Sequence, residues 1–274
     1  MTHRAARRAY ESGALAPSDT RIETVSEQGI TYVVRVLNNI RRKHQASRDR
    51  STDPFAAPYE SDLVIAALAP AHMALLNKFP VLDRHLLAVT RRYEPQTHLL
   101  TIADCEALLH LLHGWDGLAF YNGGLDAGAS QRHKHLQMVD LPAESGLPVA
   151  TALAASQIDN GIGRSPELPF PHACARMPES AWRDPSMGAA TVYGIYLELL
   201  EAVGLSPIGR RQPGPYNLLA TREWLWVVPR CRQAYQGIEV NALGFAGTLL
   251  VSDEAHLSAL KSLGVTACLR GVCV

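Results

Sequence analysis

Short stretches of strand-like sequence crowd the middle of the chain, and they constrain its fold more than any other feature. Residues 63–68, 72–77 and 85–90 are rich in apolar side chains, and residues 117–121 repeat this character. Before the last of these, residues 101–115 have the apolar repeat of a helix, with a capping signal at their start. Strands and helices without regular β-α-β alternation predict an α+β fold, with an antiparallel sheet flanked by helices.

The flanking regions give a coarser pattern. Helices are predicted at residues 1–16, 150–158, 187–203 and 253–263. Strands are predicted at residues 21–25, 30–37, 216–221, 223–228 and 243–251. Neither a GxGxxG nor a GxxxxGK[ST] motif accompanies them, so the sequence does not indicate a parallel nucleotide-binding sheet.

The chain length predicts the domain organisation. The 274 residues can bury a sizeable core, and neither an internal repeat nor a low-complexity segment divides them. We therefore expect one domain over residues 1–274, made of an N-terminal extension, a motif-bearing core, a variable connection and a C-terminal part that completes the fold. The bounds of these parts are residues 1–52, 53–142, 143–185 and 186–274.

Composition places the chain among ordinary folded proteins. Hydrophobic residues make up 47%, charged residues 19%, and the formal net charge is zero. A balanced charge argues against nucleic acid or a membrane surface as a partner, and no apolar run approaches the roughly 20 residues of a membrane helix. Scattered cysteines without a CxxC pair predict reduced thiols and a cytoplasmic setting. They are Cys105, Cys174, Cys231, Cys268 and Cys273.

The most informative motif is the segment 133–137, which reads His-Lys-His-Leu-Gln and follows a glycine-rich loop. Alternate side chains of an extended segment lie on one face, so His133, His135 and Gln137 are predicted to converge. A neutral imidazole, with an ordinary pKa of about 6.5, is a competent nucleophile near pH 7. Its attack on phosphorus would form a phosphoramidate, and the backbone N–H groups of the loop could stabilise charge on the non-bridging oxygens.

Other uses of these residue types stay open at this point. His133 and His135 could be metal ligands, although a mononuclear zinc site needs a third ligand and none is marked nearby. His110 and His113 lie three residues apart on a predicted helix, a spacing that can hold a metal but is commonly incidental. The basic stretch at residues 41–50 is either a solvated linker or a loop that contacts phosphate.

The segments 122–124, 128–131 and 133–137 together resemble the active-site strand of the histidine-triad superfamily, in the branch where glutamine replaces the third histidine. That branch contains diadenosine tetraphosphate phosphorylases (ATP adenylyltransferases) and galactose-1-phosphate uridylyltransferases. The long loop with Gly-Ala-Ser-Gln favours the first group. Further stretches similar to it extend the resemblance over most of residues 53–274. They are residues 76–80, 84–90, 118–122, 216–221, 223–224, 228–230 and 241–247.

The resemblance implies a role for each residue of the motif. His135 would be the nucleophile that takes the adenylyl group, His133 would support it, and Gln137 would contact phosphate. A lysine is expected where this chain has Ser252, and Arg42 or Lys43 can supply the compensating charge. The implied substrate-binding residues are Lys43, Asn77, Lys78, Asn122, Gly128, Ala129, Ser130, Gln131, Gln137, Asn241 and Thr248.

The resemblance also implies an activity: phosphorolysis of diadenosine tetraphosphate to ATP and ADP through a covalent AMP-histidine intermediate. The expected partners are the dinucleoside polyphosphate, ATP, ADP and phosphate. We expect no tightly bound cofactor and no protein-held metal, but a divalent cation such as Mg²⁺ that accompanies the polyphosphate. Glutamine cannot exchange protons near neutral pH, so we expect Gln137 to favour transfer to phosphate over transfer to water.

Three alternatives remain, and the oligomeric state is open. A uridylyltransferase is disfavoured because the chain lacks its zinc-binding cysteine pairs and has Lys134 where that group has proline. A dinucleoside polyphosphate hydrolase would use the same nucleophile with water as acceptor. A non-catalytic nucleotide-binding protein would keep the pocket but lose the nucleophile, whereas His135 is present.

Overall fold

The computed structural model describes residues 2–37, 53–68, 71–82, 84–113, 116–141 and 146–274. Its strands, in chain order, are β1 Thr20–Glu27, β2 Ile30–Leu37, β3 Val64–Leu68, β4 His72–Leu76, β5 Leu86–Thr90, β6 Gly117–Gly123, β7 His135–Asp140, β8 Gln157–Asp159, β9 Ile162–Arg164, β10 Ala173–Arg176, β11 Tyr216–Ala220, β12 Trp224–Pro229, β13 Ala234–Tyr235, β14 Ile238–Glu239 and β15 Thr248–Val251. The α-helices are α1 Thr2–Glu11, α2 Ile102–His113, α3 Ala150–Ala154, α4 Pro185–Ala202, α5 Ala242–Phe245, α6 Glu254–Leu263 and α7 Val265–Gly271.

A ten-stranded antiparallel sheet forms the centre of the molecule, in the order β3-β4-β5-β7-β6-β11-β12-β10-β9-β8. Its two halves meet where β6 pairs with β11. Strands β5, β6, β11 and β12 are buried along their whole length, which explains their nearly continuous apolar sequences. The predicted α+β fold with a large antiparallel sheet is thereby confirmed, and the sheet includes strands from both halves of the chain.

Different layers cover the two faces of this sheet. On one face, α2 and α4 pack over a core that includes Leu108, Leu136 and Met138. On the other face lie the helices α5 to α7 and a small sheet in which β2 pairs antiparallel with β1 and parallel with β15. Phe120 and Val139 belong to the core on this second face. Alternate residues of β7 therefore enter different layers.

The structure refines several predicted boundaries. The capping signal at the start of α2 is present, because the Thr101 N–H donates to Asp104 Oδ2 over 2.7 Å. The prediction of one helix over residues 150–158 is wrong beyond Ala154. Residues 157–159 pair with β9 as a strand instead, and Ser156 Oγ caps the preceding turn by donating to the Leu153 carbonyl over 2.6 Å.

The prediction of one strand over residues 243–251 is also wrong in its first half. Asn241 Oδ1 accepts from the Leu243 N–H, which starts the short helix α5, and Gly247 (φ +94°) turns the chain into β15. Helix α7 was not anticipated. None of the helices in the described part of the chain has the length and apolar character that a membrane crossing requires.

Candidate active site

His135 is the first residue of β7 and is 3% exposed. Its Nδ1–H donates to the His133 carbonyl oxygen over 2.8 Å, and no described residue makes a hydrogen bond to its Nε2. Burial lowers the pKa of His135 to about 4, so the ring is neutral at physiological pH. This tautomer leaves the lone pair on Nε2, the arrangement that a nucleophilic imidazole needs.

The sheet opens at this residue. The pairing of β6 with β7 ends at Phe120 and Gln137, two residues short of His135. The side chain of Gln96 bridges the gap: its Oε1 accepts from the His135 N–H (2.8 Å), and its Nε2 donates to the carbonyl oxygens of Asn122 (2.9 Å) and His135 (3.2 Å). A side-chain amide thus replaces a step of the strand ladder and fixes the backbone of His135.

His133 lies before the strand, in an isolated bridge opposite Pro95. Its Nδ1 lies 2.7 Å from Asp53 Oδ2, and its Nε2 lies 2.8 Å from the Thr90 carbonyl oxygen. Both ring nitrogens are therefore held by protein oxygens, and the contribution of His133 to the nucleophile is its carbonyl group. The ring of Phe55 packs against His135 at a centroid distance of 4.9 Å.

Gln137 lies on the same face of β7 as His135, one pair further along the strand. Its Oε1 accepts a hydrogen bond from His85 Nε2 over 2.8 Å, and His85 Nδ1 in turn accepts from Asn77 Nδ2 over 3.1 Å. Burial lowers the pKa of His85 to about 4, which keeps this ring neutral and fixes the direction of the relay. Because the oxygen of Gln137 is occupied, its NH₂ group is the end that can reach a substrate.

The glycine loop between β6 and β7 is less open than the sequence suggests. The N–H groups of Ala127, Gly128 and Ala129 donate to carbonyl oxygens inside the loop itself. In the described residues, the backbone N–H groups and side chains of Ser130 and Gln131 have no hydrogen-bond partner. Ser130 and Gln131 are therefore the part of the loop that is available to bind phosphate oxygens.

Asn122 is buried behind the loop. Its Oδ1 accepts from Asn217 Nδ2 (2.8 Å) and from the Ala242 N–H (2.9 Å). Asn217 Nδ2 also donates to the Ala127 carbonyl oxygen over 2.8 Å. Asn122 thus joins β6, β11, the loop and the start of α5, and its carboxamide oxygen is already used by the protein.

Two adjoining cavities lie beside the motif, on the face of the sheet that carries Gln137. One is lined by His85, Phe120 and Gln137, by Arg35 of β2, and by apolar side chains of β15, of α5 and of the segment before β5. The other is lined by Gly128, by Gln233, Glu239 and Val240, and by Gly244. Residues 241 and 248–250 line both. The predicted site residues Gln137, Gly128, Asn241 and Thr248 are thus brought to one continuous concave surface.

Other predicted residues lie elsewhere or serve the fold. Lys78 Nζ donates to Glu60 Oε2 over 2.6 Å on the exposed surface, and Asn77 supports His85. Ser252 Oγ lies 3.0 Å from His256 Nδ1, so this position takes part in the start of α6. Lys43, with Arg42 and the rest of the basic stretch, lies outside the described residues.

An ionic cluster lies on the opposite side of the sheet, and we define it as Lys134, which directly precedes β7, with the buried Asp104 and His72 and the partly exposed Glu94. Lys134 is 1% exposed, and its Nζ donates to Asp104 Oδ2 (2.8 Å), Glu94 Oε2 (3.1 Å) and the Leu99 carbonyl oxygen (2.9 Å). His72 Nε2 donates to Asp104 Oδ1 over 2.8 Å. Burial raises the pKa of Asp104, but the hydrogen bond from His72 and the charge of Lys134 outweigh it and bring the pKa to about 2.

Sequence reasoning missed residues that build this site. His85 stood in a segment that carries the resemblance, and a single histidine at the start of a strand was a usable signal. Gln96 and Asp53 gave none, because both lie in loops and meet the motif only through the fold. Neither pair of histidines forms a metal site in the described chain, where no three His, Cys, Asp or Glu side chains come together in a metal-binding arrangement.

A buried neutral histidine beside a glycine loop fits the class of enzymes that form a covalent intermediate on a side chain. Comparison with known proteins specifies which. Residues 1–155 match the Ap4A phosphorylase N-terminal domain, and residues 166–274 match the ATP adenylyltransferase C-terminal domain. The chain belongs to the Ap4A phosphorylase/ATP adenylyltransferase family, where Ap4A is diadenosine tetraphosphate.

Relatives agree with this assignment over most of their length. Diadenosine 5',5'''-P1,P4-tetraphosphate phosphorylase 2 of Saccharomyces cerevisiae is 30% identical over 243 residues, which cover 78% of this chain and 73% of the yeast protein. Protein APA1 of the same yeast is 27% identical over 246 residues, covering 80% and 74%. The crystal structure of yeast Ap4A phosphorylase Apa2 in complex with AMP has a TM-score of 0.79 at 26% identity, covering 99% of this chain and 95% of that chain.

Proposed function

We propose that this protein catalyses the phosphorolysis of Ap4A to ATP and ADP through an AMP intermediate on His135. The observation that carries the proposal is the hydrogen bond from His135 Nδ1 to the His133 carbonyl, which leaves Nε2 as the nucleophilic nitrogen. Nε2 attacks the phosphorus attached to one adenosine, the bond to the bridging oxygen breaks, and ATP leaves. An oxygen of phosphate then attacks the same phosphorus, the N–P bond breaks, and ADP is released.

The relay behind Gln137 supports transfer to phosphate. With its oxygen held by His85, the carboxamide can donate to a non-bridging oxygen as negative charge develops. It cannot accept or deliver a proton near neutral pH. Water needs a base to become a good nucleophile, whereas the phosphate dianion does not, so a neutral, proton-inert third position favours phosphate as acceptor.

The remaining parts of the proposal concern the ligands and the setting. A divalent cation is expected to travel with the polyphosphate and to screen its charge. Phosphate and ADP are the proposed second substrate and product, and the yeast protein crystallised with AMP supports the nucleotide part. All five cysteines are free thiols, which fits the proposed cytoplasmic setting.

Product analysis with Ap4A and radiolabelled phosphate tests the activity. The expected result is label in ADP, with ATP formed in equal amount. Unlabelled AMP and ATP, formed equally well without phosphate, would instead identify a hydrolase. Galactose-1-phosphate with UDP-glucose is the matching assay for uridylyltransfer, and activity there in place of the Ap4A reaction would overturn the proposal.

Intact-mass analysis tests the covalent route. Incubation with Ap4A in the absence of phosphate is expected to add one AMP to the wild-type protein. His135→Ala should abolish the adduct, whereas His113→Ala, at the exposed end of α2, should keep it. Two in-line displacements predict retention of configuration at a chiral phosphorus, and inversion would exclude the intermediate.

A further inference from the structure

Arg230 is a buried cation without an ion-pair partner among the described residues. It follows β12, is 1% exposed, and no described carboxylate lies within ion-pair distance of it. Its partners are neutral oxygens: Nη1 donates to Asn217 Oδ1 over 2.6 Å and to the Ala127 carbonyl over 3.3 Å, and Nη2 donates to the Val240 carbonyl over 2.9 Å. Its other partners are the carbonyl oxygens of Val272, Arg232 and Gln233.

Such a charge is costly to bury. Desolvation of an ion costs several kcal/mol after relaxation, and proteins usually offset it with an opposite charge. Here burial lowers the pKa of Arg230 to about 10, so the group stays charged at neutral pH. Asp126, on the exposed side of the glycine loop, favours the charged form without forming an ion pair. The described residues therefore do not compensate most of the positive charge of Arg230, and this charge can attract an anionic ligand.

The oxygens that hold Arg230 belong to the segments that carry predicted substrate contacts. Ala127 precedes Gly128 in the glycine loop, Asn217 bonds to Asn122, and Val240 precedes Asn241. Gly128 (φ +88°) packs so tightly on this last segment that a Cβ there would come within 2.8 Å of Asn241 Cβ and 2.9 Å of the Val240 carbonyl oxygen. The guanidinium thus lies directly behind the junction of the loop with the cavity wall.

The cavity beside Gly128 has no lysine or arginine among its described lining residues, and Arg35 lines only the adjoining cavity. Ser252 stands where the resemblance led us to expect a lysine, and Lys78 is paired with Glu60. Glu239 lines the same cavity as Gly128 and Asn241, so its carboxylate opposes an anionic ligand. A polyphosphate that enters here needs a cation close by, and Arg230 is the buried one that the described structure provides next to the loop.

We propose that Arg230 is a positioning residue for the polyphosphate, which attracts the anion through its buried charge and holds the glycine loop against Asn241. This inference rests on the proposed function of the site. A unit charge acting over about 8 Å at an effective dielectric constant of about 20 changes the affinity for an anion by roughly tenfold or more. The effect is confined to anionic ligands, because an uncharged ligand does not respond to the field.

Binding of tripolyphosphate and of adenosine, measured by calorimetry, separates this role from a purely structural one. Arg230→Met is expected to weaken tripolyphosphate binding about tenfold and to leave adenosine binding unchanged. Arg230→Lys should recover most of the tripolyphosphate affinity. The matched control is Arg222→Met, since Arg222 also donates to backbone carbonyls but lies at the other end of β12. This control should bind tripolyphosphate like the wild type.

Two results would overturn the inference: unchanged tripolyphosphate affinity in folded Arg230→Met, or equal losses for tripolyphosphate and adenosine that lysine does not restore. If Arg230→Met fails to fold, Arg230→Gln removes the charge but keeps an NH₂ donor for the surrounding carbonyl oxygens, and it should likewise weaken tripolyphosphate binding selectively; an unchanged affinity or an unselective loss there counts against the inference. Wild-type phosphorolysis is measured in parallel. Its absence would refute the proposed function, whereas normal catalysis with unaltered binding in the variants would refute the role of Arg230 alone.

Discussion

The two faces of β7 hold polar groups in opposite ways. On the face with His135 and Gln137, the histidines that the protein buries are neutral, and their pKa values are lowered to about 4 by burial. On the face with Lys134, the buried polar groups are ionic, and the carboxyl of Asp104 has a pKa lowered to about 2 by its partners. Both environments are buried, and the consecutive residues Lys134 and His135 enter them.

The difference lies in what each face must do. A buried charge is tolerable when its partner is fixed, because the pair satisfies itself and ties the strand to α2 and to the loop at residues 94–99. A nucleophile must keep its lone pair free for a ligand, so the front face uses neutral hydrogen bonds that direct a tautomer without consuming Nε2. The ionic cluster fixes the strand to its neighbours. The neutral hydrogen bonds of His135 and Gln137 orient the reactive groups.

Removal of the nucleophile should give the largest effect and should leave the back face intact. His135→Ala is expected to lower the rate of AMP transfer by about 10⁴-fold or more, since the covalent route is lost. Its folding stability should change by less than about 2 kcal/mol, because the Gln96 bonds to the backbone remain. Quenched-flow measurement of AMP transfer, with urea unfolding of the same sample, checks both. A variant that retains a tenth of the rate would contradict the assignment.

Breaking the ionic cluster should have the opposite result, a large loss of stability with a small loss of activity. Asp104→Ala leaves Lys134 and His72 buried without their shared partner, and we expect a loss of about 3 kcal/mol in unfolding free energy. Activity per folded molecule at low temperature should fall only a few-fold. The double variant Asp104→Leu with Lys134→Met removes the charges together and should recover much of the stability. If the double variant were less stable than Asp104→Ala, the cluster would be more than an anchor.

His85 and His72 lie on opposite faces of the sheet, and substitution of each allows a direct comparison of smaller effects on kcat and on stability. His85→Leu frees the oxygen of Gln137 and should lower kcat by about 10- to 100-fold with little change in KM, because the carboxamide loses its orientation. His72→Leu removes a hydrogen bond to Asp104 and should lower stability while kcat stays within about threefold of wild type. Steady-state kinetics on both proteins tests this split, and equal kcat losses would show that the faces are coupled.

The pH dependence of folding stability should distinguish the two faces without any substitution. His85 and His135 have pKa values of about 4 in the folded protein against an ordinary value of 6.5. The unfolded chain therefore binds more protons between these values, and stability is full above pH 6.5 and falls towards pH 4, by about 3 kcal/mol per histidine. The pKa of Asp104 is lowered from 3.8 to about 2. The contribution of Asp104 to stability is therefore lost only as the pH falls from 3.8 to about 2, below the range of the two histidines.

Urea midpoints between pH 7 and pH 4 measure the first loss, which His85→Leu should roughly halve. The rate of AMP transfer by the folded protein should stay level from pH 8 to about pH 5, since the nucleophile remains neutral over that range. An acid limb centred near 6.5 would mean that the ring of His135 is accessible to protons and that its burial does not govern its reactivity.

Much of the fold could be predicted because its strands carry local signals. The apolar runs of β3 to β6 and the capping residues of α2 mark elements whose neighbours are close in sequence. Prediction failed where backbone signals conflict, as at residues 243–251, where one apolar run serves both α5 and β15. There an N-cap at Asn241 and a positive φ at Gly247 outweigh the hydrophobic pattern.

At the site, too, local features could be predicted from the sequence, whereas contacts between distant segments could not. Alternation along residues 133–137 correctly placed His135 and Gln137 on one face, because the period of a strand is a local property. The roles assigned to Asn77, Asn122 and the loop stay predictions, and the structure gives the first two internal hydrogen bonds that a sequence pattern cannot reveal.

The sequence by itself determined the class of chemistry through the resemblance of residues 122–137 to a known family, whereas the spacing of the two histidines alone also allowed a metal site. Only the tertiary structure decided which nitrogen of His135 is reactive, that Gln96 closes the gap in the sheet, and that Arg230 lies behind the loop. The last two of these facts depend on residue pairs 39 and 103 positions apart in the chain, and the first depends on the burial of His135 in the folded chain. Burial and hydrogen bonding between such distant segments are set by packing, which no local pattern encodes.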